Sequence, residues 1–221
     1  LEGQGALNVN LVTPTHYAPQ ARAAVALARE QGLGVPVVWN TGGYETPEAV
    51  RANAGTVDVY LTDFKYADPR LGARYSQAPD YPDVALAALE AMVEQVGAPA
   101  FDEVDGMPRM RRGVVVRHLL LPGNLDDSKA VVALLQERFG SSVLLSLMNQ
   151  YTPVVAAAAE RGEGLARATI ARCPELARPV RAEDYEALLD FADALGVEDY
   201  FWQEGGAAEE SFIPPFDLTG L

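Results

Sequence analysis

The chain has 221 residues, 49% of them hydrophobic and 22% charged, the balance of a globular domain long enough for a sizeable core. With 31 acidic against 17 basic residues and a formal net charge of -14, it lacks the basic stripe that nucleic-acid binding needs. No run of roughly 18 apolar residues is long enough for a transmembrane helix. The single cysteine, Cys173, excludes an intrachain disulfide framework and predicts a reducing, cytoplasmic compartment.

In chain order, ALNVNLV (6–12) reads as a first strand and APQARAAVALAREQG (18–32) as a helix stopped by Gly32 and Gly34. VPVVWN (35–40) is a second strand, followed by the Gly42-Gly43 turn. Thr46-Pro47-Glu48 then opens a short helix with Thr46 as its N-cap. VDVYLTDF (57–64) is a third strand, and PDVALAALEAMVEQVG (82–97) a helix stopped by Gly97. The charged stretch that contains FDEVDG and Arg109, Arg111 and Arg112 reads as a hairpin or loop with solvated charges.

GVVVRHLLLPG (113–123) has the continuous apolar character of a strand buried on both faces. Asp126, Asp127 and Ser128 supply the cap and acidic first turn of a helix at 129–139. SSVLLSLMNQYTP (141–153) is a fifth strand. A long Ala- and Arg-rich segment, 152–180, precedes a helix at 182–196 and a last strand at 199–206; a proline-broken tail, 207–221, ends the chain.

Alternation of strands and helices predicts an α/β fold with a parallel sheet and right-handed crossovers. Both an open sheet and a barrel satisfy that pattern. The polar residues favour a barrel, because they collect at one end of every strand. Thr13, Thr15 and His16 end the first; Asn40 and Thr41 the second; Asp63 and Lys65 the third. Arg117 and His118 lie in the fourth, and Asn149, Gln150 and Tyr151 end the fifth. Barrel enzymes build their sites at this C-terminal mouth.

Asp63 and Lys65 continue the period-two face of Val57, Val59 and Leu61, which carries both charges toward that mouth. Three readings fit: a strand-end ion pair, a Schiff-base lysine of the kind aldolases use, or a hydrogen-bonding clamp for a ribose or amino-acid group. Arg117 on the inner face could fork onto a carboxylate, while His118 alternates to the helix-covered side. With His16 and His118 the only histidines, no metal site is predicted. Walker, HExxH, GxSxG and EF-hand patterns are absent.

NLVTPTHY, VPVVWNTGGYET, VDVYLTDFKYADP, GVVVRHLLLPGNLDDS, SLMNQYTP and QEGGAAEESFIPPFD together resemble, in order, radical S-adenosylmethionine proteins related to pyruvate formate-lyase activating enzymes. The resemblance implies an incomplete TIM-like (β/α)6 partial barrel. It implies S-adenosylmethionine and a [4Fe-4S] cluster as cofactors, an electron donor for the cluster, and a protein or small-molecule substrate. In that family, reductive cleavage of the sulfonium yields a 5′-deoxyadenosyl radical that abstracts hydrogen.

Carried over by motif, the resemblance places Thr13, Pro14, Thr15 and His16 where relatives have a Gly-Gly-Glu strand end that binds the methionine amine. Asn40 and Thr41 resemble the Asp-Thr of the next strand end. Asp63 and Lys65 match an Asp-x-Lys facing the cofactor, which favours the clamp. Arg117 and Leu119 match the flanking segment, Tyr151 falls where relatives often place a histidine near the adenine, and Gln150 beside it is a further cofactor-binding candidate. The family's CxxxCxxC has no counterpart in this sequence, and Cys173 is read as an incidental thiol. The expectation is that the first β/α unit, with the cluster ligands, is missing from this chain and that the first strand has an open edge. Two other functions stay in view: a degenerate barrel that binds a nucleoside, and a Lys65 Schiff-base lyase.

Overall fold

The computed structural model describes residues 2–198 and 200–202. After a 3-10 turn at Glu2–Gln4, strand β1 (Val9–Val12) leads through a second such turn, Pro14–Tyr17, into helix α1 (Ala18–Glu30). Strand β2 (Val37–Thr41), helix α2 (Pro47–Arg51) and strand β3 (Val59–Asp63) follow. The helical turn α3 (Pro69–Leu71) runs into a π-turn at Gly72–Ser76, and helix α4 (Tyr81–Val96) comes next. Strands β4 (Ala100–Val104) and β5 (Met107–Leu119), helix α5 (Leu125–Phe139) and strand β6 (Leu144–Met148) continue the chain. Helices α6 (Val154–Glu160), α7 (Gly164–Arg172) and α8 (Ala182–Ala194) end the described elements.

The parallel sheet has the order β1-β2-β3-β5-β6, and β4 pairs antiparallel with the first half of β5. Beyond β6, Phe201 pairs in parallel with Ser146, its amide donating to Leu145 O and its carbonyl accepting from Leu147 N. Helices α1 and α5 each join neighbouring parallel strands in the way a β/α unit does. The whole is an α/β fold with a mostly parallel sheet, the topology of an incomplete TIM-like barrel. Among the described residues of the strand expected at 199–206, Phe201 alone shows pairing; most of that segment and the tail at 207–221 lie outside the described residues.

Alternation along the strands separates two faces. Trp39, Tyr60, Phe64, Val114, Val116, Leu145 and Leu147 pack beneath Ala88, Leu89 and Met92 of α4, Val131, Val132 and Leu135 of α5, and Leu188 of α8. The opposite face carries Asn40, Leu61, Asp63, Val115, Arg117, Leu119, Ser146 and Met148, all half-buried. Parallel register puts Asp63 beside Arg117 and Arg117 beside Ser146. The sheet itself therefore draws a row of polar residues across the inner face near the C-terminal ends.

Several boundaries differ from the sequence reading for local reasons. The charged stretch is a hairpin, because Asp105 (φ 53°) and Gly106 (φ 79°) adopt the two left-handed conformations of a tight turn that matches strand twist. Strand β5 accordingly begins at Met107 rather than 113, and Arg109 pairs with Asp102 at 2.6 Å across the hairpin. Helix α5 begins at Leu125, one turn earlier than expected. Its Asp127 serves another segment, accepting from the amides of Asp68 (2.7 Å) and Ala67 (3.2 Å). Thr46 does cap α2, its hydroxyl accepting from Ala49 N at 3.2 Å.

Candidate functional site

A cavity of about 410 Å³ opens at the C-terminal ends of β3, β5 and β6, lined by Asp63, Lys65, Tyr66, Arg117, Leu119, Leu121, Met148 and Tyr151. Its polar side is an ordered relay. Arg117 Nε donates to Asp63 Oδ1 at 2.9 Å, and Arg117 Nη2 lies 2.7 Å from the same oxygen. Nη2 also donates to Asn40 Oδ1 at 2.8 Å, which ties three adjacent strands together through one guanidinium. Both charged side chains are about three-quarters buried, so the pair is weakly screened by solvent.

Lys65 stands apart. Its Nζ is 3.8 Å from Asp63 Oδ2, and its side chain is 43% exposed. Arg117 thus claims one oxygen of Asp63 and leaves Lys65 a long, partly hydrated contact with the other. Counting Asp63, Lys65 and Arg117 together, the cavity wall carries one excess positive charge in a protein of net charge -14. A wall of this kind attracts the anionic end of a ligand, while Leu119, Leu121, Met148 and the rings of Tyr66 and Tyr151 offer an apolar floor. A Schiff-base lysine is activated by desolvation or by a close cation, and the exposure of Lys65 provides no such desolvation.

The segment that carries Lys65 and Tyr66 is held from outside the sheet. Phe64 N donates to Arg117 O at 2.9 Å, and Phe64 O meets His118 Nδ1 at 2.8 Å. Tyr81 Oη, from α4, accepts from Lys65 N at 3.1 Å, and the Asp127 carboxylate holds the amides of Ala67 and Asp68. His118 is buried on the helix side, and desolvation pulls its pKa down to about 4, so the ring is neutral at pH 7. Its Nδ1 donates to the carbonyl, and Nε2 has no partner among the described residues.

The Thr13–His16 turn lies to one side of this cavity. Thr13 takes a left-handed conformation (φ 50°) with its amide donating to Asn40 O at 2.8 Å. Pro14 is buried, and His16 is exposed. Thr15 donates its hydroxyl to Glu45 Oε1 at 2.8 Å; the same oxygen accepts from Thr41 and, at 3.4 Å, from Trp39 Nε1. Glu45 therefore clasps the first two strand ends together, with Thr41 inside the clasp rather than on the cavity wall.

Of the residues singled out from sequence, Asp63, Lys65, Arg117, Leu119 and Tyr151 meet at one cavity, and Asn40 joins them through Arg117. Gln150 is half-buried but does not line that cavity, and neither do Thr13, Pro14, Thr15, His16 or Thr41. Tyr151 donates its hydroxyl to Leu176 O at 2.8 Å, which turns its ring edge toward the segment after α7. Leu121 and Met148 were readable as continuations of the inward period beyond Leu119 and Ser146. Glu45, Tyr81 and Asp127 carry no such signal, since each reaches the mouth from a loop or helix by a tertiary contact.

A [4Fe-4S] cluster does not fit these residues. The whole sequence holds one cysteine, Cys173, which is buried after α7, and no group of three or more metal-ligating side chains occurs among the described residues. No helix among them is long and apolar enough to cross a membrane.

No family model matches the chain. Over 164 residues it is 26% identical to an uncharacterized protein of Methanocaldococcus jannaschii, a match covering 74% of this chain and 40% of that protein. The chain thus spans less than half the length of that relative. Among solved structures, the fold is similar to that of a domain of pyruvate-formate lyase-activating enzyme from Bacteroides vulgatus. The TM-score is 0.59 at 11% identity, covering 89% of this chain and 97% of that one.

Proposed function

We propose that this chain forms the nucleoside-binding part of a radical S-adenosylmethionine domain, and that the mouth cavity receives S-adenosylmethionine. The observation that carries this reading is the Asn40–Arg117–Asp63 relay with Lys65 beside it, above an apolar floor at the C-terminal ends of parallel strands. The similarity in fold to an activating-enzyme domain supports it. At about 410 Å³ the cavity lies in the range of small-molecule sites, roughly 300–1,000 Å³.

The chemistry of the wall matches the parts of such a ligand. Lys65, exposed and loosely paired, is placed to take a carboxylate. Asp63 Oδ2, which Arg117 leaves free of a close contact, can accept from an ammonium or a ribose hydroxyl. Arg117 is already committed to Asn40 and Asp63, so its task is to hold that carboxylate in place and aimed. Leu119, Leu121, Met148 and the tyrosines can cover a base and exclude water from it. With one cysteine in the chain, the residues here would bind and orient S-adenosylmethionine, and any redox chemistry on it would have to come from a group that they do not hold.

Isothermal titration calorimetry tests the reading with S-adenosylmethionine, 5′-deoxyadenosine and methionine as separate ligands. S-adenosylmethionine binds at one site, and Lys65→Ala weakens it about tenfold, the effect of one charge-assisted contact at a half-exposed position. No binding at millimolar ligand, or an affinity indifferent to Lys65→Ala, contradicts it. Equal affinity for 5′-deoxyadenosine would favour the second reading, a barrel that binds a nucleoside without redox chemistry.

A further inference from the structure

Tyr81 opens α4 in the helix layer, yet its hydroxyl reaches the ends of two strands at once. The Oη lies 3.0 Å from Gly42 O, 3.2 Å from Asp63 O and 3.1 Å from Lys65 N. A phenol offers one donor and lone pairs that accept, so the O–H is shared between the two carbonyls while a lone pair takes the Lys65 amide. Gly42 follows β2 and Lys65 follows β3; one oxygen therefore sets the spacing of the two loops that border the relay.

The surroundings fit this task. The residue is 3% exposed, and its ring is packed by Tyr44 (6.0 Å, stacked), Phe64 (6.4 Å) and Tyr66 (5.4 Å, edge-on). Desolvation pushes its phenol well above the ordinary tyrosine range, so the proton needed for donation stays on the oxygen. Close approach of the loops is written into the backbone as well. Gly43 has φ +81°, and a Cβ there would fall 2.1 Å from Asp63 O and 3.2 Å from Tyr81 Oη.

We infer that Tyr81 is a positioning residue for the mouth: its hydroxyl bridges the Gly42 and Lys65 backbones and thereby holds the Lys65 ammonium over the cavity. The inference rests on the cavity being the ligand site. Tyr66, which lines that cavity, packs on the Tyr81 ring, so ring and hydroxyl act on the same wall from two sides.

Tyr81→Phe keeps the ring and removes only the bridging oxygen. In this variant the Lys65 amide exchanges with solvent about tenfold faster or more, while amides of β6 keep their protection, and S-adenosylmethionine affinity falls about tenfold. Ala88→Gly, deep in the same helix, provides a control for lost stability and leaves both readouts unchanged. Unchanged Lys65 exchange in Tyr81→Phe, or equal losses of affinity in the two variants, overturns the inference. Should the unmodified protein bind no S-adenosylmethionine, the ligand reading fails, and exchange at Lys65 alone decides the role of the hydroxyl. Should Tyr81→Phe not fold, proton NMR of the unmodified protein decides: an Overhauser contact from the Lys65 amide to the Tyr81 hydroxyl supports the bridge, and its absence overturns it.

Discussion

Arg117 and His118 are neighbours in β5 that serve opposite faces by opposite means. Arg117 satisfies its guanidinium on the inner face, where Asp63 and Asn40 lie within hydrogen-bond distance. His118 stays neutral because it is buried, with one backbone carbonyl for company. The neutral ring makes stability depend on pH in a defined direction. Its folded pKa of about 4 lies below the unfolded value of 6.5, so between these limits the unfolded chain binds the extra proton. The contribution is complete above about pH 6.5 and is lost as pH falls toward 4, amounting to on the order of 3 kcal/mol. Urea unfolding at pH 7 and pH 4 checks this against His118→Asn, whose amide can still reach the Phe64 carbonyl. The unmodified protein should lose more stability than the variant over that interval. Equal losses would show that the histidine is not the proton acceptor.

The turn after β2 and the segment after β3 are where element geometry decides the site. Gly42 and Gly43 look equivalent in sequence but are not in space. A Cβ at Gly42 would meet only Lys65 Nζ, at 3.7 Å, whereas one at Gly43 would strike the β3 backbone and would need a left-handed residue. Gly43→Ala should therefore destabilise by about 2 kcal/mol or more, since the left-handed conformation alone costs roughly 1–2 kcal/mol in a residue with a side chain. Gly42→Ala should stay within about 0.5 kcal/mol of the unmodified protein. Thermal unfolding of both measures the contrast, and similar melting temperatures would refute the close approach. The elements around this turn were legible from pattern. The inward period of β3 led to Asp63, the Thr46-Pro47 pair to a capped α2, and the Gly stop to the end of α4. Helices α6 and α7 were not, because Val154–Glu160 and Gly164–Arg172 bury little and leave Leu165 at 85% exposure, so no apolar stripe marks them.

At the scale of the whole molecule, one sheet separates an apolar, helix-covered face from a polar inner face, and the parallel register gathers the polar residues at one end. That separation was readable in the sequence, because strand ends are contiguous in the chain and period two assigns their faces. Asp63 and Arg117 were found in this way, whereas Leu119 came from the family resemblance. Thr13 to His16 do not line this cavity, since Glu45 draws that turn toward Thr41 through a Thr15 contact 30 residues away in sequence that no local pattern announces. Tyr81 and Asp127 escaped for the same reason: each sits in the first turn of a helix and reads locally as an ordinary helix residue. Function as proposed depends on the inner-face cavity being the place where a ligand sits. A crystal structure of the chain grown with saturating S-adenosylmethionine measures this directly. The ligand is predicted between Lys65 and the Leu119–Met148 floor, with Arg117 still joined to Asn40 and Asp63; ligand bound elsewhere, or a cavity that holds only solvent under those conditions, would contradict it.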